Sequence, residues 1–119
     1  MRASGAVFEQ RARVELERAG LRLLASNYTT RHGEIDLVMQ HGDTVVFVEV
    51  RHRLRAGHGD AATSVTRGKQ DKLIRTAQLW LAAHPRHAQR PCRFDVVSYD
   101  GPADSARMQW LRGAFNVDG

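Results

Sequence analysis

Two stretches of alternating residues constrain this chain more than any other feature. Glu34 to Gln40 and Val45 to Arg53 both alternate with period two, the pattern of a β-strand. Gly42-Asp43 lies between them, and a glycine in a two-residue connection suits a tight hairpin turn. With that turn, Asp36 is expected opposite Glu49 and Glu34 opposite Arg51. One face then carries Ile35, Leu37, Met39, Val46, Val48 and Val50, and it must be core. The other face carries Val38, Gln40, Val45 and Phe47 near the turn, with Glu34, Asp36, Glu49 and Arg51 at the far end. A slip of one residue would move the whole apolar set to the other side, so this register is strongly specified.

The remaining elements arrange themselves around the hairpin. Arg2 to Gly20 reads as a helix, with Val7, Phe8, Ala12, Leu16 and Ala19 near the helical period and Gly20 as its stop. Leu21 to Asn27 looks like a short strand, and Leu54 to Ala62 like a loop. A second helix is expected from about Thr66 to His84, on an apolar stripe of Leu73, Ile74, Ala77, Trp80 and Leu81, with Pro85 ending it. Arg93 to Tyr99 reads as a fourth strand. Met108 to Arg112 reads as a fifth, followed by a tail over 113–119 that contains Phe115. Strand, helix, strand from Val45 to Tyr99 is a crossover, which sets the fourth strand parallel to the third. The expected architecture is α/β: a mixed sheet of four or five strands flanked by helices, within one domain spanning 1–119.

Charge narrows the choice of partners. The 119 residues carry a net charge of +5, and 16 of the 18 bases are arginine. Ten bases and only two acids fall between Arg51 and Arg93, so the rest of the chain is slightly acidic. A basic segment in such a setting points to a polyanion, with nucleic acid first. A solvated surface is the plainer reading of the same charges. No apolar run is long enough to span a bilayer, and Cys92 is the one cysteine, which excludes an internal disulfide. The expected compartment is the cytoplasm, with no membrane contact.

Two carboxylates facing each other across a hairpin repel unless something positive joins them. A divalent cation does so, because Mg²⁺ takes one or two carboxylates and completes its shell with water and substrate phosphate. Asp36 and Glu49 supply the carboxylates, and the Val50 backbone carbonyl is a candidate third ligand. Glu9 joins them if the first helix packs beside the far end of the hairpin. Arg51 would then set a cation beside a bound phosphate. A solvent-facing ion-pair patch is the competing interpretation, and the apolar Val45 and Phe47 on the same face weigh against it.

An acid on a first helix, an Asp on one strand and Glu-x-Lys or a variant on the next resembles the PD-(D/E)xK nuclease fold, including archaeal Holliday junction resolvases. Nearly the whole chain, from about Gly5 to Asn116, more closely resembles the YraN family of bacterial proteins. The likeness rests on Gly5 and Glu9, on G-E-I-D-L-V from Gly33 and on V-F-V-E-V-R from Val46. It continues in V-T-R-G-K-Q-D-K-L from Val65, R-F-D-V-V from Arg93 and A-F-N from Ala114. The resemblance implies a restriction-endonuclease-like fold in the order α-β-β-β-α-β-β. It also implies that Glu9, Asp36 and Glu49 are the acidic positions of a metal-dependent site using Mg²⁺ or Mn²⁺. Arg51 stands where the nuclease pattern has lysine. Arginine keeps its proton, so it can hold phosphate and stabilise charge but cannot act as a base.

Lys69 and Lys72 are the only lysines, three apart at the start of the second helix, and either could take over the missing lysine's role. Ordinary surface lysine is the alternative. Arg31, Arg53, Arg55, Lys69 and Lys72 are the expected nucleic-acid contacts, with DNA the first partner to consider. His52 and His58 could also touch phosphate, although solvated histidine is the plainer reading. Trp80 and Cys92 are expected in the core, and Asp95 in a structural role. Three functions compete: a metal-dependent nucleic-acid phosphodiesterase of endonuclease type, a binding module that kept the fold without turnover, and an adaptor for an acidic protein.

Overall fold

A computed structural model of the chain describes residues 2–54 and 64–117, with side chains from Gly5 onward. Helix α1 (Arg2–Arg18) is followed by β1 (Arg22–Thr30), β2 (Gly33–His41) and β3 (Thr44–Arg53). Helix α2 (Arg67–Ala83), a 3-10 turn at Pro85–His87, β4 (Cys92–Asp100) and β5 (Arg107–Phe115) complete the order α-β-β-β-α-β-β. The five strands lie side by side in chain order, and only the β3–β4 pair is parallel. The mixed α/β sheet is the one expected. Most of the anticipated loop, with Arg55 and His58, lies outside the described residues. No helix among the described residues is long and apolar enough to cross a membrane.

The hairpin register matches the expected one. Gln40 pairs with Val45, Met39 with Val46, Val38 with Phe47 and Leu37 with Val48. Both faces of the sheet are covered, each by one helix. Phe8, Ala12 and Leu16 of α1 pack on Leu37, Met39, Val46 and Val48. Leu73, Ala77 and Trp80 of α2 pack on Val38, Val45 and Phe47 of the other face. Burying side chains of this size contributes about 1.5–3 kcal/mol each. The far-end carboxylates therefore lie at the mouth of a covered face rather than on a solvated sheet.

Helix α1 ends as a Schellman motif. Leu21 N–H bonds the Leu16 carbonyl at 3.0 Å and Gly20 N–H bonds Glu17 at 3.0 Å. Gly20 takes φ +97°, which costs glycine little. Leu21, just past the stop, joins Leu16 in the core. Helix α2 opens on Thr66, whose side chain accepts the Lys69 N–H at 3.2 Å.

Several sequence expectations are corrected. Val7 and Ala19 are exposed, because the core side of α1 is the narrower i, i+4, i+8 row of Phe8, Ala12 and Leu16. Ile35 packs with the α2 cluster, not with Leu37 and Met39. The β2–β3 ladder has already ended at that point and β2 is paired with β1 alone, so its side chains no longer follow the faces of β3. Strand β5 runs through Phe115, which stacks on Phe94 with ring centroids 4.9 Å apart, so the strand takes in residues expected in the tail. Cys92 is exposed rather than buried, because the first residue of β4 lies before the covered part of that strand.

Candidate functional site

The site forms where β2 leaves β3. The ladder stops at Leu37–Val48, one step before Asp36 and Glu49. Beyond it β3 still pairs with β4 as far as Arg53 and Asp100, but its other edge has lost its partner strand. The Asp36 carboxylate fills that gap and accepts the Val50 N–H at 2.8 Å. The gap opens into a cleft of about 600 Å³ lined by Glu9, Glu34, Asp36, Glu49, Lys69 and Lys72, among others. Helix α1 supplies Glu9 and helix α2 supplies the two lysines, so the split strands are bracketed from both faces.

Four carboxylates share this space. Asp36 and Glu49 are 8% and 6% exposed, so neither is well hydrated. Burial pushes Asp36 up to about 8, and the neighbouring Glu49 charge adds to the effect while the Val50 N–H opposes it. Glu9 is also raised, by burial first and then by Glu34, against hydrogen bonds with the side chains of Asp36 and Asn27. The expectation that α1 brings Glu9 to the far end of the hairpin therefore holds. Asn27 went unnoticed in the sequence. Its φ of +52° inside β1 is unusual for a strand, and an Asn is among the few residues that accept it.

Cations approach from α2 and from β3. Lys69 Nζ lies 2.9 Å from Glu49 Oε2, closer than Arg51 Nη1 at 3.7 Å. Arg51 Nε is buried without a hydrogen-bond partner among the described residues. Lys72 lines the cleft one turn further along α2. Arg31 is exposed and lines a neighbouring cavity. Arg53 is drawn into a two-pronged pair with Asp100 at 2.8 and 2.9 Å, which also holds the Asp100 carboxyl below its usual range. His52 bonds the Gly101 carbonyl at 2.7 Å and stacks on Phe8.

The other flagged residues are structural. Trp80 is in the core at 1% exposure. Asp95 is buried and accepts from Arg93 Nε, Trp110 Nε1 and Gly113 N–H at 2.9–3.0 Å, tying β4 to β5.

Among the described residues no three His, Cys, Asp or Glu side chains are grouped as a ready-made metal cage. The donor set is smaller: the paired carboxylates of Asp36 and Glu49, with the Val50 backbone beside them. Hard oxygen donors in that number suit Mg²⁺ or Mn²⁺, which fill the rest of their shell with water and phosphate oxygens. Both acids are buried, so a cation would offset the burial and the Glu49 charge that raise Asp36. The residues present fit such an ion.

An α/β sheet split to hold buried acids, with lysines facing them across a cleft, defines the class of protein. The family is equally plain. Residues 8–99 match the model of the uncharacterised protein family UPF0102, and the chain belongs to that family. A UPF0102 protein of Xylella fastidiosa (strain 9a5c) is 54% identical over 117 residues, covering 98% of this chain and 95% of the relative. One from Stutzerimonas stutzeri (strain A1501) is 51% identical, over 95% and 94% of the two chains. Another from Yersinia enterocolitica is 50% identical, over 98% and 97%.

Proposed function

We propose that this protein is a metal-dependent nucleic-acid phosphodiesterase acting at the cleft between β2 and β3. The observation that carries the reading is the buried Asp36–Glu49 pair facing Lys69 across that cleft. Asp36, Glu49 and the Val50 carbonyl would hold Mg²⁺ or Mn²⁺, which when bound would supply Lewis acidity. The chain's own residues do the rest. Glu9 extends the acidic pocket from helix α1. Arg51, fixed in charge, stabilises negative charge gathering on the phosphate. Lys69 takes the position left vacant by a lysine at 51, because its ammonium already meets Glu49 from the opposite wall. Lys72 holds the phosphate backbone beside it. The substrate in this reading is a nucleic acid, DNA in the first place, and the setting the cytoplasm.

One observation favours a second reading, a nucleic-acid-binding module without turnover. Arg51 cannot serve as a base, and the Lys69 ammonium itself neutralises Glu49. Cleavage of branched, single-stranded and duplex DNA with Mg²⁺, Mn²⁺ or EDTA separates the two. The phosphodiesterase cuts only with metal, and Asp36→Asn or Glu49→Gln abolishes cutting. Lys69→Ala lowers kcat by roughly 10²–10³-fold, the scale of a lost charge-stabilising donor. Salt-sensitive binding without cleavage in any metal overturns the enzyme and leaves the module.

A further inference from the structure

Beside the acidic cleft lies a second cavity of about 320 Å³, lined by Arg31, His32, Asp71, Lys72 and Arg75. Its balance is cationic. The one acid, Asp71, is already paired with Arg67 at 3.2 Å. Arg31, Lys72 and Arg75 are exposed and have no ion-pair partner among the described residues. Three unpaired cations converging on a concavity repel one another, an arrangement that an anion relieves. Lys72 lines this cavity and the acidic cleft alike, so the two are neighbours.

We infer that the Arg31–Lys72–Arg75 cavity is a second phosphate subsite, which holds the strand next to the phosphodiester engaged in the acidic cleft. The inference rests on the proposed function and adds a substrate requirement: a polynucleotide whose backbone continues past the reacting bond. Helix geometry supports the reach. Lys69, Lys72 and Arg75 are spaced by three along α2, a rise of about 9 Å from first to last at 1.5 Å per residue. A B-form strand advances about 3.4 Å per nucleotide, so that run spans two to three nucleotides. Arg31 closes the cavity from the β1–β2 turn, and guanidinium groups engage phosphate oxygens in two-pronged fashion. Lys69 serves the reacting phosphate, Lys72 the junction, and Arg31 with Arg75 the neighbour.

The test is binding of a fluorescent duplex in EDTA across a salt series, which requires no catalysis. The parent protein is compared with Arg31→Ala/Arg75→Ala and with a charge-matched control, Arg86→Ala/Arg107→Ala, whose exposed arginines lie outside the cavity. The subsite predicts that the cavity variant loses about 2 from the slope of log affinity against log salt, one per phosphate contact, while the control keeps its slope. Melting temperatures are recorded for each protein, and Arg31→Gln/Arg75→Gln substitutes if the alanine variant does not fold. Equal slopes for parent and cavity variant, or an equal loss in the control, overturn the subsite and leave the cleavage reading standing. A parent that binds no duplex overturns the subsite as well, while the cleavage reading is decided by the assay with metal on branched and single-stranded DNA.

Discussion

A carboxylate moved out of water keeps its proton unless something positive replaces the water. Asp36 is in that position, with its pKa near 8 from burial and the Glu49 charge. In the unfolded chain the same group sits near 3.8. Between these values the folded protein holds a proton that the unfolded chain has shed. The contribution of this one group to metal-free stability is therefore fullest below about pH 4 and declines as pH rises toward 8. Each unit of separation is worth about 1.4 kcal/mol, which amounts to several degrees in a chain of this size. Thermal melts in EDTA are expected to show Tm falling from mildly acidic to mildly alkaline pH. Asp36→Asn flattens that fall, and Mg²⁺ raises Tm more at the alkaline end. Parallel pH profiles for parent and Asp36→Asn contradict the assignment. At this scale the sequence was informative about identity: Asp36, Glu49 and Glu9 could be named from alternation and family motifs. The Glu49–Lys69 contact could not, because it depends on how α2 crosses the sheet and not on local pattern.

The elements place those residues through two local devices. The hairpin register was legible because an apolar face tolerates no slip, and every observed pair from Leu37–Val48 to His41–Thr44 follows from the Gly42-Asp43 turn. The end of the ladder was not legible, since alternation continues through Asp36 as though the strands stayed paired. The second device is Gly33. Its φ is +150°, and a Cβ built there would lie 3.3 Å from Thr76 Oγ1 and 3.6 Å from Lys72 Cβ. Strand β2 thus lies close against the α2 turn that carries Lys72. Gly33→Ala is expected to cost about 1–3 kcal/mol from backbone strain and crowding, read as a lower urea midpoint at unchanged m-value. A midpoint equal to the parent's would show that the close approach is not needed.

For the whole molecule, the basic segment divides once the fold is known. Arg53, Arg67, Arg90 and Arg93 are engaged with Asp100, Asp71, Asp43 and Asp95, so much of the apparent excess is internal pairing. Of the cations left for a polyanion, Arg31, Lys72 and Arg75 gather at one cavity beside the acidic cleft. Composition could announce a polyanion partner, but it could not separate paired arginines from available ones, because two of these four pairs, Arg53–Asp100 and Arg90–Asp43, join residues far apart in sequence. An acidic pocket adjoining a cationic track is the arrangement that the proposed function requires, to hold a phosphodiester at a metal.

That account turns on a divalent cation at Asp36 and Glu49, and titration of the protein with Mn²⁺, followed by electron paramagnetic resonance at neutral pH, tests it without any substrate. The expected result is one bound ion per chain. Its affinity should fall in Asp36→Asn and Glu49→Gln by more than the roughly 10–100-fold seen for outer-shell partners, and stay nearly unchanged in Arg31→Ala/Arg75→Ala. Mn²⁺ that stays free in the parent protein, or binds equally well after both carboxylates are neutralised, would contradict the central claim.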